Sequence, residues 1–314
     1  MPNRRLLCVL VSIAACLAAA RDCRAQAWVP EQGDGAISFS YQRIDNTGHR
    51  LTDGAFVDAG HSLDMSLYLE GEYAITNRFT VTAGLPFVFT KYTDPNGPPP
   101  PIPYLPWEQC HCWQMGFQDF EFSGRYNLVS GRFAFTPVVA AVVPSQNYEY
   151  RGETALGRDL KELRIGFDVG QRLDRISRNL SVQGHYTYAF VERVLNIPDN
   201  RSNGSIEGVY VVKKRLALRG FSGWQVTHGG LQLGSMPPAA LVFPGEVDTP
   251  ELLAEHDRLL RDDNWRAGGG LAYSFNKVDV FANYIAYLSG TDTHAGRVVT
   301  VGFSVPFHTG RAHR

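Results

Sequence analysis

The sequence predicts an all-β chain closed into an antiparallel transmembrane β-barrel of about 12 strands, with a short helix in one long extracellular loop. Three observations carry this. The N-terminus reads as an export leader, segments of 10–14 residues alternate apolar and polar with a period of two, and the connections between them alternate short and long.

The leader comes first in the chain. Arg4 and Arg5 form a positive n-region, Leu6 to Ala20 is apolar, and Ala25-Gln26-Ala27 is a small-x-small cleavage site. The expected organisation is therefore a signal peptide over 1–27, a barrel over 28–307 and a periplasmic tail over 308–314. The apolar run is about 15 residues, short of the roughly 20 that a spanning helix needs. Ile13-Ala14-Ala15-Cys16 fits a lipidation site loosely, and the downstream cleavage site fits better. Loss of 1–27 removes four Arg and one Asp, which leaves 26 basic and 30 acidic residues, net −4. No basic excess points to nucleic acid. Past the leader no run reaches 18 apolar residues, so a membrane is crossed by closed β-structure or not at all.

Twelve segments follow, at 36–44, 62–75, 79–92, 117–128, 132–144, 160–173, 179–191, 203–212, 215–227, 265–275, 278–288 and 297–307. In the last, Val299, Val301, Phe303, Val305 and Phe307 share one face, while Thr300, Gly302, Ser304 and Pro306 share the other. In 163–173, Leu163, Ile165, Phe167, Val169 and Leu173 oppose Arg164, Gly166, Asp168, Gly170 and Arg172. A barrel strand of about 9–11 residues needs this pattern, apolar towards lipid and polar towards the lumen. Connections after even-numbered strands are short, such as Thr76-Asn77-Arg78 and Asn276-Lys277, and those after odd-numbered strands run to about 8–37 residues. That is the pattern of periplasmic turns and extracellular loops. A soluble β-sandwich also alternates, with about 7–9 strands. Strand length, loop asymmetry and aromatic residues near strand ends favour the barrel. Trp28 stands just before the first strand, with no separate plug domain expected ahead of it.

Leu67 to Phe87 (LYLEGEYAITNRFTVTAGLPF), Gly116 to Asn127 (GFQDFEFSGRYN), Ala140 to Ser145 (AAVVPS) and Asp159 to Asp174 (DLKELRIGFDVGQRLD) occur in that order. Over about 36–307 this resembles the outer-membrane barrel family of meta-pathway phenol-degradation transporters. The resemblance implies a bacterial outer-membrane location and passive movement of small hydrophobic or aromatic compounds, in contact with membrane lipid and without a cofactor. It supplies no residue set. The chain departs from the pattern in continuing past Phe307 to Arg314 and in carrying a Cys-His-Cys insert.

The inward parity collects Glu70, Glu72, Asp119, Glu121, Arg125, Glu162, Arg164, Asp168, Arg172, His185, Glu207, Arg219, Arg266 and Asp279. Two readings stay open: a selectivity lining, and a salt-bridged structural lumen. Mixed charge predicts weak ion selectivity, and Tyr68, Tyr92, Phe221, Phe281 and Tyr287 on this parity predict a narrow or occluded pore. Cys110 and Cys112 suit a small disulfide in an oxidising compartment; with His111 they form an incomplete soft-metal set. In the 229–264 loop, Thr249 and Pro250 start a helix with Leu252, Leu253, Leu259 and Leu260 on one stripe, read as a lid over the mouth or as a segment packed on the rim. No Gly-x-Ser-x-Gly, His-Glu-x-x-His or phosphate loop appears, so no catalytic or metal residues are assigned; a lipid hydrolase using His185 is the contrasting enzyme reading. A surface-binding barrel without transport is the third.

Overall fold

The computed structural model describes residues 27–58, 60–93, 110–232, 255 and 257–310. Residues 1–26 of the expected 1–27 leader, Thr249 to Leu253 of the loop helix and the tail beyond 310 lie outside them, whereas Ala27, the last residue of that leader, is described.

The strands are β1 (Asp34–Arg50), β2 (Phe56–Val57), β3 (His61–Thr76), β4 (Phe79–Thr93), β5 (Gln114–Phe117), β6 (Asp119–Tyr126), β7 (Phe133–Pro144), β8 (Glu162–Arg172), β9 (Leu180–Val191), β10 (Asp199–Lys213), β11 (Leu216–Gly229), β12 (Asp263–Phe275), β13 (Val278–Thr291) and β14 (Thr293–His308). All pair antiparallel with their wall neighbours. β2 pairs only with the end of β1. β5 and β6 are two parts of one wall strand, because both pair with β4. The wall is thus a closed twelve-strand barrel, sealed where β14 meets β1 from Asp34↔His308 to Arg50↔Thr293.

The two parts of that split strand are offset by one residue. Phe117 pairs with Phe87 but Glu121 pairs with Gly84, and Gln118 in between donates its N–H to the Pro86 carbonyl at 3.0 Å. This bulge switches side-chain parity. Met115 and Phe117 before it, and Phe122 after it, all stay exposed.

The described residues form no large apolar core. Leu69, Phe122, Val139, Leu163, Ile165, Phe190, Ile206, Leu218, Leu271, Tyr284, Val301 and Phe303 are all exposed. The opposite parity is small or polar, as with the buried Thr80, Thr90, Thr136, Asp168 and Thr187. Such a contiguous apolar exterior is far larger than a water-soluble monomer tolerates and is the surface that lipid covers.

The short turns lie at one end, at 77–78, 127–132, 173–179, 214–215 and 276–277. The opposite end carries the connections 145–161 and 192–198 and the described parts of those that follow Arg50, Thr93 and Gly229. One expectation fails there. The last loop, expected to span 289–296, is the single residue Asp292. The wall is taller than predicted on this side: β1 runs to Arg50 rather than 44, and β14 starts at Thr293 rather than 297. Polar, weakly alternating sequence above the lipid level keeps pairing because neighbouring backbone, not side-chain pattern, satisfies its hydrogen bonds.

At the short-turn end the chain folds inward ahead of β1. The Ala27 N–H donates to Gln183 Oε1 at 3.3 Å, and its carbonyl accepts from Thr136 Oγ1 at 2.7 Å and Asn127 Nδ2 at 3.3 Å. Trp28 donates to the Gly131 carbonyl, and Arg172 stacks 5.5 Å from its ring.

Candidate functional site

Many of the charged residues of the inward parity are assembled into ion pairs. Arg125 Nη2 lies 2.8 Å from Glu72 Oε1. Arg164 holds Glu162 at 2.8 Å and Glu121 at 3.2 Å. His185 Nδ1 lies 2.6 Å from Asp168 Oδ1, and Arg219 pairs with Glu207, which also accepts from Gln183. Arg125 on β6 reaches past β4 to β3, and Arg164 on β8 reaches past β7 to β6. Neighbouring strands stand about 4.8 Å apart, so next-but-one residues meet readily only on the concave side of a curved sheet.

Other expected residues have different partners. Asp119 accepts a hydrogen bond from Tyr148, a residue of the 145–161 segment. Arg172 is taken up by Trp28. Arg266 lies opposite Gly223 and Tyr287 in register, and Asp279 lies opposite Ser304 and Ser274. Glu70 lies opposite Gly84 and Ser38. Neither Glu70 nor Asp279 forms an ion pair among the described residues. Aromatic bulk adds to the charge: the Tyr68 hydroxyl occupies the space where Gly84 would carry a Cβ.

The loop end is covered from within. Tyr148 and Leu156 of the 145–161 segment pack with Val88 as a buried cluster. Burial, reinforced by the bond to Asp119, pushes the Tyr148 hydroxyl well above the ordinary phenol range, so it stays a donor. Glu149 is held below the usual carboxylate range by the hydrogen bonds of Arg151, which outweigh its burial. The same segment clasps the far part of the 229–264 loop. Arg158 Nε donates to the Arg258 carbonyl at 2.9 Å, the Gly152 N–H donates to Asp257, and Arg258 stacks 4.2 Å from the Tyr150 ring. Glu255 and residues 257–259 are helical, and Leu259 is buried with Leu231 against Val194, Ile197 and Leu260. These contacts match the rim-packed reading of that helix. Cys110 and Cys112 are joined by a disulfide, with His111 Nδ1 3.2 Å from the Tyr92 carbonyl oxygen.

Sequence reasoning missed the polar groups that the taller wall and the inward loops bring together, namely Asp199 with Arg158 and Arg201, and His49 with Glu153 and His294. A sequence signal existed only for the break in alternation at Asp45-Asn46-Thr47-Gly48, where β1 was expected to have ended.

No family model matches the chain, and no curated protein matches it. Solved structures do. An outer membrane channel from Pseudomonas putida F1 superposes with a TM-score of 0.68 at 12% identity, over 91% of this chain and 100% of that one. The translocator domain of the autotransporter NalP from Neisseria meningitidis gives 0.49 at 11%, over 96% of each chain. The KdgM porin gives 0.43 at 10%, over 87% of this chain and 99% of that one. At these identities the likeness is one of fold. The closed wall and its apolar exterior, together with the fold shared with the Pseudomonas channel, make this chain a twelve-strand β-barrel of the bacterial outer membrane.

Proposed function

We propose that the barrel is a narrow passive pore or carrier for small solutes, with hydrophobic or aromatic compounds as the solute class and no cofactor. The observation that carries the proposal is the inner wall. It is lined by charges of both signs, much of them held in ion pairs, while Tyr148 and Leu156 narrow the loop end. We assign Glu70, Glu72, Asp119, Glu121, Arg125, Arg164, Asp168, Arg172, His185, Arg219, Arg266 and Asp279 to that lining. The solute class rests on the sequence resemblance, and the pore role is supported by the fold shared with the Pseudomonas channel.

Single-channel recording in planar bilayers tests it. The expected result is small conductance steps with weak ion selectivity, enlarged when residues 145–161 are shortened. Silence from both proteins, with folding shown by heat-modifiable gel migration, removes the pore and leaves the surface-binding barrel. A lipid hydrolase has one observation in its favour: Asp168, His185 and Ser205 stand in register on three successive strands, and His185 Nδ1 faces Asp168. No hydrogen bond joins Ser205 to His185 among the described residues. Ester hydrolysis by purified protein, abolished in both His185→Ala and Ser205→Ala, would establish that reading.

A further inference from the structure

We propose that His49, Glu153 and His294 form a binding site for one divalent transition-metal ion of the zinc class, and that the bound ion fastens the 145–161 segment to the barrel wall. The site stands independently of the pore reading.

It is built by a bulge. Along the lower part of β1, Ile37 is exposed and the even-numbered residues, ending in the buried Asn46, face inward. His49 is odd and would face outward. Between Asn46 and Gly48 the register against β14 shifts by one residue, so that Asn46 pairs with Gly296 but His49 pairs with His294. The extra residue, Thr47, turns His49 to the inner face. His294 lies there already, on the parity of the buried Val298. The two imidazoles meet edge to face, with ring centroids 4.5 Å apart.

The third group arrives from a loop. Glu153 sits between Gly152, whose N–H is bonded to Asp257, and Thr154, which is wholly buried. Its carboxylate spans both rings: Oε1 is 3.2 Å from His49 Nε2, and Oε2 is 3.4 Å from His294 Nε2. All three ligand atoms fall within 4.8 Å of one another. Zinc bonds to imidazole nitrogen and carboxylate oxygen are about 2.0–2.2 Å, which puts neighbouring tetrahedral ligands roughly 3.3–3.5 Å apart. The observed spacings therefore admit an ion with small side-chain turns.

Ligand chemistry narrows the ion. Two imidazoles and a carboxylate suit zinc, copper or nickel and disfavour calcium and magnesium, which prefer all-oxygen shells. Three protein ligands leave the fourth position for water, and the half-exposed His294 gives the ion access. Coordination would cross-link β1, β14 and the 145–161 segment, and through Asp257 would also hold the segment that carries Leu259.

The test uses the full chain, refolded in detergent and stripped with chelator, with Zn2+ alone as probe. Calorimetry should find one ion per chain, and Co2+ in its place should give the visible absorption of a tetrahedral site. Glu153→Gln and His294→Ala should each weaken Zn2+ binding by more than about 100-fold, beyond the 10–100-fold that loss of an outer-shell partner costs. His185→Ala, a histidine elsewhere on the inner wall, should leave it unchanged. Zn2+ should also slow hydrogen exchange across 145–161 in the parent protein and not in Glu153→Gln. Gel migration checks that each variant is folded. Absence of Zn2+ binding by the folded parent overturns the site, and so does binding that survives both ligand substitutions. Binding without any change in exchange across 145–161 overturns the fastening role.

Discussion

Arg164 shows what a single inward residue does in this wall. It satisfies Glu162 and Glu121 at once, and Glu162 is nearly buried. Removing Arg164 leaves the nearly buried Glu162 without its counter-charge, while Glu121, 43% exposed, keeps contact with solvent. Arg164→Ala is expected to cost about 1–3 kcal/mol. The triple replacement Arg164→Met, Glu162→Gln, Glu121→Gln should cost less, because no charge is left alone. Urea unfolding in detergent compares them, and an equal or larger loss in the triple variant would contradict the argument. Glu149 gives a pH dependence. Its folded value is depressed by Arg151, so its contribution to the loop is present above the ordinary carboxylate value and is lost as pH falls through the folded value. Hydrogen exchange across 145–161, corrected for intrinsic rate, should stay slow as pH drops to about 4.5 and quicken only below it. Glu149→Gln should flatten that acid limb.

At the level of elements, the bulges decide which face a side chain sees. Deleting Gln118 would merge β5 and β6 in one register and turn Met115 and Phe117 into the lumen. Two large apolar groups would leave lipid for a polar interior, so the expected outcome is poor assembly, read as loss of heat-modifiable migration. A normally migrating deletion would show that parity there is not fixed by the bulge. Glycine acts on the same scale at position 84. A methyl there would collide with the Tyr68 hydroxyl, and Gly84→Ala should cost about 1–3 kcal/mol, restored when Tyr68 is shortened to Ala.

The whole molecule is a closed sheet turned inside out relative to a soluble protein. Val301 on the seam strand β14 is exposed to lipid, whereas Ser40, which pairs with the next residue Gly302, lies on the inward parity of β1. Val301→Arg should therefore destabilise the folded barrel by about 2–4 kcal/mol in lipid, while Ser40→Arg should cost well under half as much. Similar costs at both positions, measured by unfolding in lipid vesicles, would invalidate the assignment of faces.

Period-two alternation was enough to locate nearly every wall strand, because lipid on one side and polar lumen on the other impose a pattern at each residue from Leu163 to Phe167 or Val299 to Val305. The charged inward residues were legible for the same reason. Their pairing was not: whether Arg125 meets Glu72 depends on two strands that are separated by a third. Nor could the sequence disclose the upper wall, where Asp45 to Arg50 and Thr293 to Gly296 lose alternation above the lipid yet stay paired through their backbone. Strand count and the sense of each face were written locally, residue by residue. The bulge at Thr47, the inward fold of 145–161 and the meeting of His49, Glu153 and His294 were decided by tertiary structure, since each depends on register and loop packing between segments some 100 or more residues apart.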